Sequence, residues 1–234
     1  MILCLETATP ICSVALCDRN STVALRESGE DRSHASQLTV FIEDVLKNTG
    51  IRAADLEAVA VSKGPGSYTG LRIGVSAGKG IAYAASLPLI SIDTTFSMFL
   101  GFKQFAGNKY AILSDDLFCP ALDARRMEIY YSVYNAGGKP VKEIRAEIID
   151  RNSLNDLPVN ARLFIFGDGA AKCREVIERD KTVFDDTFRM SASFMREAAY
   201  DALNRKRFED VAYFEPFYLK DFLATKPVKN ILGK

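Results

Sequence analysis

Three carboxylates in this sequence are placed where chemistry could occur. Glu6 and Asp123 each end an apolar run, and Asp168 lies in a Gly-Asp-Gly turn. Carboxylates at strand ends can hold metal ions or activate water when a fold gathers them in one cleft. The same residues can instead cap turns by accepting hydrogen bonds from backbone amides. The structural role is the stronger expectation, and the set that we predict for a vestigial nucleotide cleft is Glu6, Thr7, Asp123, Gly167, Asp168 and Gly169.

The histidine content bears on metal-dependent and triad-type hydrolysis. His34 is the only histidine in the sequence. A zinc-peptidase site needs two or more ligands at fixed spacing, such as the H-E-x-x-H motif, and the sequence contains none. A catalytic triad needs its histidine beside a nucleophile, and no partner for His34 is evident. The sequence therefore predicts no catalytic residue and no metal site.

The glycine-rich stretch SKGPGSYTGLRIGVSAGKGIAY, residues 62–83, calls for a phosphate-loop test. A Walker loop requires G-x-x-x-x-G-K-[ST], but Ile73 stands at the first glycine and Gly80 at the hydroxyl position. A dinucleotide loop requires G-x-G-x-x-G, and Thr69 stands at its last glycine. Both motifs fail. An anion on the amides of residues 66–70, with Ser67 or Thr69 as helix N-cap, stays as an alternative to a plain tight turn.

The helix predicted for residues 70–85 is unusually rich in glycine. Gly70, Gly74 and Gly78 recur at every fourth position. Each glycine inside a helix costs about 1 kcal/mol relative to alanine, so a neighbouring backbone is expected to approach this face closely. The neighbour is either a second subunit, which is the favoured interpretation, or the chain's own sheet.

The elements that position these residues follow a regular order. The first half of the chain shows a βββαβαβ pattern. It consists of strands near 2–5, 12–17 and 22–27, a helix at 33–48, a strand at 57–62, the glycine helix and a strand at 89–92. This order predicts a ribonuclease-H-like sheet. A second αβ half is indicated after a helix over residues 94–106. It consists of strands near 110–113, 118–123, 127–135, 141–149 and 163–166, a helix ending near 179 and a helix over 191–207.

We accordingly predict an α/β fold with two subdomains. Residues 1–101 form the N-terminal subdomain, joined by part of 208–234, and residues 102–207 form the smaller C-terminal subdomain. The basic tail from Lys226 is expected to be mobile.

Composition and charge restrict the partners and the compartment. Lysine plus arginine equals aspartate plus glutamate, 30 against 30, whereas a chain that gripped RNA unaided would show a basic surplus. The first residues have no basic leader, and no apolar run approaches the length of a membrane span. Five cysteines without a C-x-x-C pair are typical of a reducing compartment, with Cys4, Cys12 and Cys17 in the core. We expect a cytoplasmic protein.

Four segments carry a resemblance to a known family. In order and spacing, these segments resemble the bacterial TsaB (YeaZ) family. They are ETATPICSVAL at the start, GPGSYTGLRIG within the glycine-rich stretch, ALDARRMEIYYSVY in the middle and EPFYL near the end. The resemblance implies the actin and sugar-kinase (ASKHA) architecture of two ribonuclease-H-like halves. It also implies a dimerisation subunit of the machinery that makes threonylcarbamoyladenosine at adenosine 37 of tRNA. The family usually has aspartate where this chain has Glu6, which further weakens an active-site interpretation.

The resemblance also implies partners. A TsaB-type chain pairs with a catalytic TsaD-type subunit, a TsaE-type ATPase joins them, and the chain alone forms homodimers through the same surface. tRNA is reached indirectly, and no cofactor binds strongly to this chain, because ATP and metal belong to the partner subunits. The predicted partner interface is His34, Leu38, Phe41, Gly70, Gly74, Ala77, Gly78 and Ile81. The alternatives are an actin-like ATPase, a metal-dependent, peptidase-like hydrolase, or a sensor that binds ATP or ADP without hydrolysis.

Overall fold

The first half of the chain forms a five-stranded mixed sheet. The computed structural model describes residues 1–29, 34–107 and 109–220. The sheet order is β3-β2-β1-β4-β5, with β1 to β3 antiparallel and β1, β4 and β5 parallel. Its strands are β1 (Ile2–Glu6), β2 (Ser13–Cys17), β3 (Thr22–Glu27), β4 (Ala58–Gly64) and β5 (Leu89–Asp93).

A second five-stranded sheet repeats this topology. Its order is β8-β7-β6-β9-β10, again with an antiparallel meander followed by two parallel strands. The strands are β6 (Leu117–Asp123), β7 (Glu128–Asn135), β8 (Pro140–Ile148), β9 (Leu163–Phe166) and β10 (Thr182–Asp185). Two ribonuclease-H-like sheets of one topology confirm the predicted α/β, ASKHA-like fold class. The repetition also makes the ends of β1 and β6, and hence Glu6 and Asp123, equivalent positions.

Helices cover both faces of each sheet. In the first sheet, α1 and α2 pack on one face, whereas α5 and a preceding 3₁₀ turn (Ala192–Met195) pack on the other. In the second sheet, α3 packs on a phenylalanine-rich face and α4 on the opposite one. The helices are α1 (His34–Thr49), α2 (Tyr68–Ala85), α3 (Thr94–Gly107), α4 (Ala170–Val176) and α5 (Arg196–Asn204).

Helix ends follow local signals in the sequence. The Ser67 hydroxyl caps α2 by accepting a hydrogen bond from the Gly70 amide at 3.2 Å, which confirms Ser67 as the N-cap. Gly50 just past α1 has φ +69°, a conformation that glycine adopts without strain. The hairpin between β7 and β8 turns at Gly137 and Gly138, and Gly138 has φ +83°.

Several predicted elements in the second half are wrong. Residues 110–113 form no strand, because the Leu113 amide instead donates to the Asp116 carboxylate in a turn. The helix predicted for 191–207 begins as a 3₁₀ turn and ends at Asn204, and the helix predicted to reach 179 ends at Val176. Strand β10 was not predicted, since its four residues are too short to show a periodic pattern. The tail from Lys226 lies outside the described residues.

The division of the chain at residue 101 stays a prediction. The segment Ala192–Asn204 falls in the predicted C-terminal subdomain but packs on the first sheet, with Ala192, Met195 and Ala199 fully buried there. Helix α3 packs on the second sheet and also contacts β4 and β5. Helix α3 therefore contacts both sheets, whereas α5 packs on the first sheet.

Candidate functional site

Gly70, Gly74 and Gly78 of α2 face the chain's own first sheet. A Cβ on Gly70 would lie 2.0 Å from the Thr7 carbonyl oxygen, and one on Gly74 would lie 2.2 Å from the Thr7 hydroxyl. A Cβ on Gly78 would lie 2.4 Å from the Val61 side chain. The favoured reason for these glycines is thus corrected: the close approach is made by strand β4 and by Thr7, within the same chain.

The other residues of the predicted partner interface are less deeply covered. Leu38 of α1 is buried in the core, whereas Phe41, Ala77 and Ile81 are half-buried and pack at its margin. These three side chains lie along the boundary between the core and solvent on the α1–α2 layer. Their contact with a partner stays a prediction.

His34 holds the start of α1 against the first β-turn. Its Nε2 donates a hydrogen bond to the Thr9 carbonyl oxygen at 2.8 Å, and the residue is half-buried. The contact fixes the tautomer, because a carbonyl oxygen only accepts. His34 therefore positions the loop after β1.

A line of small residues that the sequence analysis did not single out lies on the outer face of α2. Ser76, Gly80 and Ala84 are spaced four apart, so they share one side of the helix, and all three are exposed. A Cβ on Gly80 would meet no atom of the described residues within 4 Å. Unlike Gly70, Gly80 therefore has no contact with residues 1–29, 34–107 or 109–220 that requires glycine. Both lines of small residues have the same four-residue spacing, so the sequence does not show which line meets the sheet.

Glu6 is sealed in the core rather than placed in a cleft. The residue is fully buried, its carboxylate accepting hydrogen bonds from the Ser62 hydroxyl and from the Ala8 amide, the latter at 2.6 Å. Burial raises the pKa of Glu6 to about 7, and these hydrogen bonds oppose the shift. Thr7 beside it is equally buried beneath α2. The expected structural role, hydrogen bonding to backbone amides, matches this geometry.

Asp123 and Asp168 lie together in the second half. The Asp123 amide donates to the Asp168 carboxylate at 3.1 Å, while the Asp123 carboxylate accepts from Lys172 at 2.7 Å. Desolvation raises the pKa of Asp168 to about 6, although this residue still reaches solvent. Lys172 also donates to the carbonyls of Arg126 and Glu128, so the pair organises the turn between β6 and β7.

A narrow pocket separates the two sheets beside Asp168. It measures about 70 Å³ and is lined by Thr9, Pro10, Ile11, Met98, Gly167, Asp168, Phe188, Arg189 and Met190. Pockets that bury a drug-sized ligand measure roughly 300–1,000 Å³, so the pocket in this conformation does not fit a nucleotide. The glycines of the Gly-Asp-Gly turn serve a packing purpose: a Cβ on Gly167 would lie 2.5 Å from the Ala121 carbonyl oxygen, and one on Gly169 at 3.1 Å. A vestigial nucleotide cleft stays a prediction.

The described residues contain neither a metal-binding cluster nor a membrane-spanning helix. Over residues 1–29, 34–107 and 109–220, no three His, Cys, Asp or Glu side chains come together as a potential metal site. Within the same part of the chain, no helix is both long and apolar enough to cross a bilayer. All five cysteines are free and buried, which confirms the predicted core positions of Cys4, Cys12 and Cys17.

Comparison with known proteins gives a consistent family. The family model "TsaD: tRNA N6-adenosine threonylcarbamoyltransferase" matches residues 29–224. The chain is 29% identical to the tRNA threonylcarbamoyladenosine biosynthesis protein TsaB of Haemophilus influenzae over 96% of this chain and 95% of that protein. It is 35% identical to the Escherichia coli TsaB protein, over 57% of this chain and 54% of that one.

A solved structure shares the fold. It is a protein described as similar to peptidase YeaZ from Pseudomonas aeruginosa, which superimposes with a TM-score of 0.79. The match covers 94% of this chain and 99% of the other at 23% sequence identity. At that identity, the similarity shows a shared fold and nothing about activity.

Proposed function

This chain belongs to the family described by the TsaD model and, within it, to the TsaB (YeaZ) proteins, and on that premise we propose that it is a non-catalytic subunit in the synthesis of tRNA threonylcarbamoyladenosine. In this role it binds and supports a TsaD-type catalytic subunit. The names of the curated relatives support the pathway. The finer role rests on the contacts of this chain.

The groups that could do chemistry are engaged in holding the fold. The Glu6 carboxylate is enclosed with Ser62, the His34 ring is tied to a backbone carbonyl, and Asp123 is paired with Lys172. None of these three faces another across a space where a substrate would react. This arrangement supports a binding role over the alternative of an ATPase or a metal-dependent hydrolase acting alone.

The observation that carries the proposal is the open surrounding of Gly80. An exposed glycine inside a helix costs about 1 kcal/mol relative to alanine, and no neighbour in the part of the chain that the structure describes requires it. Close approach of a helix from another subunit does require a residue without a side chain at the crossing point. Ser76 and Ala84 extend the same small-residue line over about two helical turns.

Exposed apolar side chains lie on the same pair of helices. Tyr83 of α2 is 82% exposed and Val40 of α1 is 51% exposed, and α1 and α2 contact each other. Exposed apolar groups beside a flat small-residue surface are typical of protein interfaces. We propose that this α1–α2 face binds the TsaD-type subunit and that it forms a homodimer when the chain is alone.

The remaining partners follow from the same role. A TsaE-type ATPase joins the complex, ATP and metal bind at the partner subunits, and tRNA is contacted mainly through them. The equal numbers of acidic and basic residues are in keeping with an indirect contact.

The test is reconstitution with purified components. The full chain is mixed with a TsaD-type and a TsaE-type subunit, ATP, threonine-derived adenylate and an unmodified tRNA that reads ANN codons, and nucleoside formation is measured. We expect product only when this chain and the TsaD-type subunit are both present, with a stable complex on size-exclusion chromatography. Full product formation without this chain, or turnover of ATP or a peptide by this chain alone, would contradict the proposal.

A further inference from the structure

A second pocket lies outside the narrow pocket beside Asp168 and has a different chemical character. It measures about 200 Å³ and lies between the end of β5, the first turn of α3 and the β7–β8 hairpin. Its walls include the carboxylates Asp93 and Glu143, the hydroxyls Ser132 and Tyr134, and the ring of Phe96.

The polar groups of this pocket are placed to accept hydrogen bonds. Glu143 is exposed and forms no ion pair among the described residues, whereas Asp93 pairs with Lys63 at 3.1 Å through one of its two oxygens. The lysine of the pocket wall, Lys142, is already neutralised by Asp156 at 2.6 Å. The pocket therefore keeps an uncompensated negative charge at its rim.

A buried hydroxyl in the pocket wall has no well-placed partner. Ser132 is 1% exposed, and among the described residues its Oγ makes no hydrogen bond of good geometry, its near neighbour being the Tyr134 hydroxyl. Leaving a buried hydroxyl unpaired costs free energy, and a donor that entered the pocket would remove that cost. The Tyr134 hydroxyl itself bonds to Thr95 at 3.1 Å and retains an accepting lone pair.

The aromatic part of the wall favours the same type of ligand. The rings of Phe96 and Tyr134 contact each other with centroids 5.7 Å apart. An aromatic face attracts an organic cation, and the attraction increases when the cation is removed from water. Burial raises the pKa of Tyr134, the contacts with Ser132 and Thr95 oppose this shift, and the negative charges of Asp93 and Glu143 add to it, so the phenol stays protonated and neutral.

From these contacts we propose that the pocket bounded by Asp93, Phe96, Ser132, Tyr134 and Glu143 binds an alkylammonium or alkylguanidinium group. The cation donates to Ser132 and to the carboxylates, and its alkyl stem lies against Phe96. The volume is below that of pockets for drug-sized ligands, so it suits one small cationic group. That group belongs either to a free small amine or to a lysine or arginine side chain of another protein.

The test uses n-butylammonium and ethylguanidinium as probes, with n-butanol and butyrate as neutral and anionic controls. Titration of the ¹⁵N-labelled full chain is followed by chemical-shift changes at Phe96, Ser132 and Glu143. We expect saturable binding of the two cations with a Kd on the order of 1–10 mM, as befits ligands of so few atoms, and no saturable shift with the controls. No saturable shift with either cation, or shifts located elsewhere, would overturn the proposal.

Variants establish which contacts bind the cation. Glu143→Gln is expected to weaken binding about tenfold and Ser132→Ala about threefold to tenfold, since bonds to charged groups are the stronger ones. Glu175→Gln, an exposed position on α4, is the matched control and is expected to leave the affinity unchanged. Equal affinity of Glu143→Gln and the unaltered chain would contradict the assignment.

A final arm distinguishes the two sources of the cation. Putrescine is compared with lysine and arginine that are blocked at both backbone ends. Tighter binding of putrescine indicates a free amine, whereas tighter binding of a blocked amino acid indicates a side chain of a partner protein. Both results presuppose the site, and failure of all three compounds to bind would overturn it.

Discussion

The Thr7 carbonyl oxygen lies where a side chain on Gly70 would begin, 2.0 Å from the position of a Cβ. Because the Cβ would clash with a backbone atom, the clash cannot be relieved by rotating a side chain. Gly70→Ala is therefore expected to destabilise the fold by about 1–3 kcal/mol, as overpacking generally does, despite the better helix propensity of alanine. Gly80→Ala, with nothing nearby, is the matched control and is expected to stabilise it by up to about 1 kcal/mol. Urea unfolding at pH 7 measures both, and effects of equal sign would contradict the packing.

The buried Glu6 predicts a particular dependence of stability on pH. Because its pKa rises from 4.5 to about 7 on folding, the folded state holds this proton more tightly than the unfolded state. The contribution of Glu6 to stability is therefore present below pH 4.5 and is lost as the pH rises through 7. Relative to Glu6→Gln, the unaltered chain should lose roughly 3 kcal/mol of unfolding free energy across this window.

Denaturant unfolding at pH 5 and pH 8 measures how much unfolding free energy each protein loses between the two pH values. Glu175→Gln on the exposed side of α4 controls for the loss of one carboxylate and should follow the unaltered chain. Parallel stability curves for Glu6→Gln and the unaltered chain would show that Glu6 is not buried as described.

The ion pair between Asp116 and Arg162 joins the residues that directly precede β6 and β9 of the second sheet. Asp116 is fully buried and receives Arg162 through two nitrogens at 3.0 and 2.6 Å. Removing one partner of a buried pair leaves the other charge uncompensated, so Arg162→Met should destabilise the fold by about 3 kcal/mol. The exposed pair of Arg205 and Asp201 is a control, and Arg205→Met should cost less than about 1 kcal/mol. Thermal unfolding compares the two, and similar losses would contradict the difference in burial.

The proposed α1–α2 binding face can be blocked without touching the core. Gly80→Arg adds a long charged side chain in open space, so the fold should be retained while affinity for the TsaD-type subunit falls at least about tenfold. Self-association of the chain should weaken in parallel. Sedimentation velocity and a pull-down measure both quantities.

Two other substitutions set the limits of that experiment. Ala171→Arg, on the exposed side of α4, makes the same change far from α2 and should bind normally. A large residue at Gly78 would collide with Val61 and disturb the core, so a loss of binding there would not distinguish the interface from the fold. Unchanged binding of Gly80→Arg would remove this face from the proposal.

The sequence alone determined the elements of the first half and the family. Periodic apolar positions, the Ser67 cap and Gly50 are local signals, and they gave α1, α2 and the strands around them nearly to the residue. The motif segments indicated the TsaB family and with it the fold. Short elements such as β10 have no such signal, because four residues cannot show a period.

Only the tertiary structure decided which side of α2 meets the sheet. Gly70, Gly74 and Gly78 on one line and Ser76, Gly80 and Ala84 on another are both small residues at helical spacing, and the sequence treats them alike. Which line is buried depends on the rotation of the helix against Thr7 and Val61, which are distant in sequence. The same holds for Glu6, whose position at a strand end predicted a cleft or a turn, whereas its enclosure by Ser62 depends on the pairing of β1 with β4.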